Sequence, residues 1–81
     1  MNNSTAKPKP SGFALLVAAV ASLAAAFSLT RATVRRHGKR YYIEYAWFPG
    51  QPLTHTETTG NAKQALRRYE KALGDDYAAI H

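Results

Sequence analysis

The sequence predicts an α+β fold, in which an N-terminal apolar helix is followed by a three-stranded antiparallel sheet packed on one C-terminal helix (βββα). Three patterns support this prediction. Residues 13–29 contain no charged residue, Pro or Gly, residues 40–47 alternate between apolar and polar side chains, and apolar residues recur at helical spacing over 62–73. The chain therefore divides into a polar tail (1–12), the apolar helix and a basic βββα module (31–81).

Composition limits the function classes that are open to this chain. It has 81 residues, which is one domain at most, and 11 Lys and Arg against 5 Asp and Glu give a net charge of +6. There is no Cys, so disulfides, zinc–thiolate sites and thiol catalysis are excluded. The positive charge implies anionic partners or surfaces.

The apolar segment 13–29 has three interpretations. As a helix it would span roughly 25 Å, near the lower limit for crossing a bilayer, which favours a transmembrane anchor. A cleaved secretory signal is the second, because Lys7 and Lys9 supply a basic start and 24–26 supply small residues. The third is a helix buried in an oligomer, which the high Ala content favours. We take the anchor as the leading prediction.

The flanking charges predict how such an anchor would be oriented. Basic residues crowd its C-terminal side, and these tend to stay in the cytoplasm, so the protein would be single-pass with a cytoplasmic C-terminal module. The side chains expected to contact lipid are Phe13, Leu15, Leu16, Val17, Val20, Leu23, Phe27 and Leu29.

The alternating segment 40–47 predicts the second strand of a β-hairpin. A two-residue loop at 37–38 would use the positive φ that Gly38 tolerates, and it would place Val34 opposite Tyr41 on the apolar face. A slip of one residue would move every side chain to the other face. The agreement of the apolar positions therefore supports the hairpin.

The predicted hairpin register also concentrates cations near the loop. It places Arg35 opposite Arg40, and Arg36 opposite Lys39, and like charges directly opposed are unfavourable. Such a cluster suggests a bound anion or an acidic partner, although side chains splayed into water would also account for it. The candidate anion- or partner-binding residues are Arg35, Arg36, Lys39, Arg40 and Tyr42.

A turn, a third strand and a helix complete the predicted module. Residues 49–52 (PGQP) predict the turn, and the Thr-rich segment 53–58 predicts an edge strand in which either the threonines or the leucine face the core. Asn61 and Gln64 form a capping pair at the start of the helix, and Gly74 is expected to end it. Its basic residues are typical of a solvated face.

The sequence contains no pattern that indicates catalysis or cofactor binding. His37, His55 and His81 have no spacing that requires a metal site, and no pair of carboxylates is spaced for acid–base chemistry. A glycine-rich phosphate loop is also missing. We therefore expect a protein that is not an enzyme and has no cofactor.

Residues 34–44 (VRRHGKRYYIE), Ala65 and residues 69–72 (YEKA) carry a family resemblance. Over 33–73 the chain resembles the three-stranded-sheet-plus-helix DNA-binding domains of phage integrases (arm-type) and of plant ethylene-response factors. The resemblance implies a sheet that enters the major groove of DNA. The contacts that it implies are Arg35, Arg36, Lys39, Arg40 and Tyr42.

The leading hypothesis from the sequence is a small membrane-anchored protein without enzymatic activity. Its basic module would bind a partner protein or an acidic surface, and membrane lipid beside it, as suits a phage or mobile-element accessory protein. One alternative is a nucleic-acid-binding module. The other is a structural subunit that forms homo-oligomers through the Ala-rich helix.

Overall fold

The computed structural model describes residues 12–81, and over this range it confirms the predicted α+β order of elements. The elements are α1 (Gly12–Ala26), β1 (Arg31–His37), β2 (Arg40–Ala46), β3 (Thr54–Thr59) and α2 (Ala62–Ile80). The strands form one antiparallel sheet in the order β1-β2-β3. Of the predicted polar tail (1–12), residues 1–11 lie outside the described range. Gly12 is the first residue of α1.

The hairpin between β1 and β2 turns one residue later than the sequence predicts. Its loop consists of Gly38 and Lys39, and Gly38 has a φ of 63°, which favours glycine. Val34 consequently lies opposite Ile43 rather than Tyr41. This moves the pairing by two residues, an even number, so the apolar face of the hairpin is the one predicted.

The register of β3 places Thr54, Thr56 and Thr58 on the core side of the sheet. Thr56 lies opposite Ile43 and Thr58 lies opposite Tyr41, and Thr58 is buried. The connection before β3 is held by the side chain of Gln51, whose Oε1 accepts hydrogen bonds from the backbone N–H groups of Trp47 and Phe48. Of the two predicted registers, the one with threonines toward the core is the one that forms.

Helix α2 begins as predicted but ends later. The backbone N–H of Gln64 donates to Oδ1 of Asn61 at 2.8 Å, which confirms the N-cap. The predicted end at Gly74 is wrong, because the helix continues to Ile80. A glycine inside a helix costs about 1 kcal/mol relative to alanine, so contacts beyond Gly74 must offset that cost.

Asp76 supplies such contacts in the last turns of α2. One carboxylate oxygen accepts a hydrogen bond from the Tyr45 hydroxyl at 2.7 Å and another from Nε1 of Trp47 at 3.2 Å. Burial, and then the bond to Asp76, raises the pKa of Tyr45, so this hydroxyl remains a donor in the folded protein. The sheet therefore holds α2 in place beyond Gly74.

Helix α1 packs into the same core as the sheet and α2. Leu16 and Val20 are each 2% exposed, and they belong to one buried cluster with β2 and α2. The hydroxyl of Tyr69 donates to the backbone carbonyl of Val20 at 3.3 Å, and burial raises the pKa of Tyr69 to about 12. The apolar helix and the βββα module thus share one hydrophobic core.

The transmembrane prediction for residues 13–29, with its single-pass orientation, is wrong. Among residues 12–81, no helix combines the length and the hydropathy that crossing a bilayer requires. Helix α1 stops at Ala26 because Ser28 takes a left-handed φ of 59° and the N–H of Leu29 bonds back to the carbonyl of Ala24 at 2.8 Å. This cap turns the chain into β1.

The residues assigned to lipid contact take three different positions in the fold. Leu16 and Val20 lie in the core, while Leu15 and Val17 are exposed on the opposite side of α1. The others pack partly buried against the core cluster, namely Phe13, Leu23, Phe27 and Leu29.

The two helices run parallel, so both begin at the same end of the molecule. A methyl group at Gly12 would lie 3.8 Å from Cβ of Ala62, and near the other end the rings of Phe27 and Tyr77 are 5.8 Å apart. The N–H of Gly60 donates to the carbonyl of Lys39 at 3.4 Å, which places the hairpin loop beside the start of α2. We call this the loop end, and the opposite end, where both helices finish, the far end.

Truncation of Leu16 tests whether α1 is part of the folded core. We expect Leu16→Ala to lower the free energy of unfolding by about 2–5 kcal/mol, since it leaves a cavity between α1 and the sheet. Leu15→Ala, on the adjacent exposed position, is the matched control and should change it by less than about 0.5 kcal/mol. Urea unfolding followed by circular dichroism measures both, and equal stability of the two variants would contradict the packing of α1.

The hydrogen bonds to Asp76 predict that this residue contributes more to the free energy of unfolding than its neighbour Asp75 does. Asp76→Ala leaves the partly buried Tyr45 hydroxyl without its acceptor, which should cost about 1–3 kcal/mol of unfolding free energy. Asp75→Ala removes only an exposed ion pair with Lys71 and should have little effect. Thermal unfolding of both variants distinguishes them, and an Asp76→Ala protein as stable as the parent would contradict the role of this carboxylate.

Candidate functional site

The open face of the sheet, defined as the side turned away from both helices, carries three of the five predicted site residues. Arg35 lies opposite Tyr42, with its guanidinium carbon 5.9 Å from the ring centre, and its Nε is 3.1 Å from Oε1 of Glu44. Arg40 pairs with Glu57 across β2 and β3. Arg35 and Arg40 are therefore each matched by a carboxylate of the same face.

Arg40 has two partners on the open face. The neighbouring Tyr42, and then Glu57, raise the pKa of Arg40 above its usual value. Because the guanidinium already has a carboxylate partner, any anion that approaches Arg40 must compete with Glu57.

The loop end carries the other two predicted residues, Arg36 and Lys39. They line a shallow hollow together with Tyr41, Thr59 and Gly60. The guanidinium carbon of Arg36 lies 5.8 Å from the centre of the Tyr41 ring, and its Nε donates to the carbonyl of Gly38 at 3.2 Å. Within residues 12–81, neither Arg36 nor Lys39 forms an ion pair with a carboxylate.

Helix α2 adds further positive charge to the loop end. Lys63 lies in its first turn, which contains no acidic residue, and Arg67 follows on the next turn, exposed like Lys63. Arg68 lies between the helix and β3, where it donates to the carbonyl of Glu57 at 3.4 Å. The N-termini of α1 and α2 both contribute the positive end of a helix dipole here.

The structure thus divides the predicted site residues into two groups. Arg35, Arg40 and Tyr42 lie on the open face, and Arg36 and Lys39 lie at the loop end. The expected opposition of like charges does not occur, because the shifted register places Tyr42 opposite Arg35 and Tyr41 opposite Arg36. Cations still gather near the loop, but Arg35 and Arg40 each form an ion pair on the open face.

The basic residues of α2 are predicted to form a solvated face, and Lys63 is exposed, but that prediction does not include its position at the loop end. The relevant signal is topological. An antiparallel third strand returns to the level of the hairpin loop, and only Gly60 and Asn61 separate β3 from α2. The first turn of α2 must therefore lie beside Lys39.

The far end has a different chemical character. Phe27 packs edge-on against Trp47 and Tyr77, and Asp75 and Asp76 lie nearby on the last turns of α2. No group of three or more His, Asp or Glu side chains suited to a metal ion occurs in the described part of the chain. Asp75 and Asp76 thus lie toward the far end, whereas Arg36, Lys39 and Lys63, which form no ion pair within residues 12–81, lie toward the loop end.

Comparisons with protein family models, with curated proteins and with solved structures give no match to this chain. The resemblance of residues 33–73 to integrase and ethylene-response DNA-binding domains accordingly stays a prediction.

Proposed function

We propose that this chain is a protein without catalytic activity that binds nucleic acid at the loop end through the phosphate backbone. One observation carries the proposal. Arg36 and Lys39 line one hollow with Gly60, Lys63 follows in the first turn of α2, and none of the three has a carboxylate partner within residues 12–81.

The chemistry of the loop end favours phosphate groups. A guanidinium offers two parallel N–H donors to a phosphate, an ammonium offers a mobile point charge, and a helix N-terminus favours an anion. Contacts with Tyr41 and Gly38 already restrain the side chain of Arg36, so little conformational entropy is lost when it binds. Several such cations on one surface suit a polymer of phosphates.

The open face is less suited to this role than the resemblance implies. Reading DNA with the sheet would bring Glu44 and Glu57 against the duplex. Each glutamate would then lose its ion pair with an arginine or lie beside a phosphate of like charge. The loop end has neither cost. We therefore propose contacts to the backbone, which position a protein on nucleic acid without reading its sequence.

Removal of two loop-end charges tests the proposal. A fluorescein-labelled 20-base-pair DNA duplex is titrated with protein from 50 to 300 mM NaCl, and binding is followed by fluorescence polarisation. The double variant Lys39→Gln, Lys63→Gln should bind about 60-fold more weakly at 0.1 M salt, with a log–log salt slope shallower by about 1.8, because two phosphate contacts are lost.

The control for this experiment removes the same number of charges elsewhere. Arg31 lies at the far end of β1 and Lys71 further along α2, both exposed. The variant Arg31→Gln, Lys71→Gln should keep the parental salt slope. Absence of duplex binding at 50 mM salt, or equal losses in the two double variants, would overturn the proposal.

Neutralisation of Glu57 should have the opposite effect. Glu57→Gln releases Arg40 for a phosphate beside the loop end, so we expect about eightfold tighter binding at 0.1 M salt. Asp75→Asn releases Lys71 in the same way but far from the loop end, and should leave the affinity close to that of the parent. Polarisation titrations measure both, and weaker binding by Glu57→Gln would contradict the proposed site.

A further inference from the structure

The outer face of α1, the side turned away from the sheet and α2, is apolar and exposed. Leu15 and Val17 are 57% and 41% exposed, and on the arc of the helix surface between them lie the exposed residues Ala18, Ala21 and Ser22. The helix carries no charged residue at all. A helix on the surface of a small domain normally presents charged side chains to water, and a continuous apolar face there marks an interface.

The outer face continues into a groove between the two helices at the loop end. Leu15 and Gly12 line it from α1, and Ala62 and Leu66 line it from α2, with Lys63 at its edge. The groove extends the exposed apolar surface from α1 onto α2. An occupant would therefore contact both helices.

We propose that a second copy of this chain covers the outer face, with the two α1 helices antiparallel. The charge distribution supports this partner and this orientation. The loop end carries Arg36, Lys39 and Lys63 without carboxylate partners within residues 12–81, whereas Asp75 and Asp76 balance Arg31 and Lys71 at the far end, and the dipoles of α1 and α2 point the same way. An antiparallel pair places each loop end beside the far end of the partner, whereas a parallel pair would bring two basic ends together.

The dimensions of the face set the expected strength of the pair. Fifteen residues of helix are about 22 Å long and the helix is about 10 Å wide, and small side chains allow the axes to approach to about 8 Å. Such a contact is smaller than the roughly 800 Å² that each partner buries in a standard interface. We expect a dissociation constant of roughly 10–100 μM.

Sedimentation velocity over 1–500 μM protein tests the pairing. The parent should shift from monomer to dimer, and Ala18→Glu should raise the dissociation constant at least about 100-fold, because two like charges meet at the centre of the contact. Ala78→Glu makes the same change on an exposed position of α2 outside the proposed contact, and should dimerise like the parent. Circular dichroism checks that both variants are folded.

Introduced cysteines test the orientation, since the chain has no cysteine of its own. Ala18 lies near the middle of α1 and meets its own copy in either orientation. Ala25 meets its copy only in a parallel pair, because in an antiparallel pair the two copies lie roughly 20 Å apart. Under mild oxidation, Ala18→Cys should therefore form a covalent dimer and Ala25→Cys should not.

Three results would overturn this proposal. They are a monomer at every concentration, equal weakening by Ala18→Glu and Ala78→Glu, and covalent dimers from both cysteine variants. The proposal is independent of nucleic-acid binding, because its readouts use protein alone and its variants change no loop-end cation.

Discussion

The packing of α1 onto α2, through Leu16, Val20 and Tyr69, determines how the rest of the molecule is arranged. A three-stranded sheet with one short helix buries little apolar surface, and a domain of that size is marginal on its own. Helix α1 supplies a second apolar element on the same face of the sheet. Because it runs parallel to α2, it also brings a second helix N-terminus to the hairpin loop.

This arrangement separates the surfaces of the molecule by chemistry. The sheet residues of the buried core cluster all lie on one face of the sheet. The other face carries ion pairs that contribute little to stability. Arg36, Lys39 and Lys63, which form no ion pair in the described part of the chain, lie at the loop end, and the exposed side of α1 is uncharged and faces away from the core. The two proposed contacts, with nucleic acid and with a second copy, thus use surfaces that do not overlap except at the edge of the inter-helix groove.

Local signals in the sequence predicted the elements, and tertiary contacts decided what the sequence left open. The alternation over 40–47 and the cap at Asn61 depend on neighbouring residues, and both are confirmed. The apolar run 13–29 gives the same signal for lipid and for a protein core, so its packing could not be predicted. Gly74 favours a helix end locally, but the hydrogen bonds of Asp76 extend α2 beyond it.

The candidate site was predicted only in part for the same reason. Gly38 suits either position of a two-residue loop, and the observed register is the one that stacks Arg35 on Tyr42 instead of opposing it to Arg40. Pairing with Glu44 is diagonal across two strands, and no spacing along the chain reveals it. Lys63 lies at the loop end because β3 runs back to the level of the hairpin loop and α2 follows it directly. No motif around Lys63 predicts this position.

The distance along the chain between the two halves of the core affects how this protein folds during its synthesis. Val20 and Tyr69 are 49 residues apart, so a nascent chain emerges from the ribosome with an uncharged helix long before its packing partner is synthesised. During that interval the helix remains available to any factor that binds apolar segments of growing chains. Burial can be completed only once Leu73, near the end of the described chain, has been released.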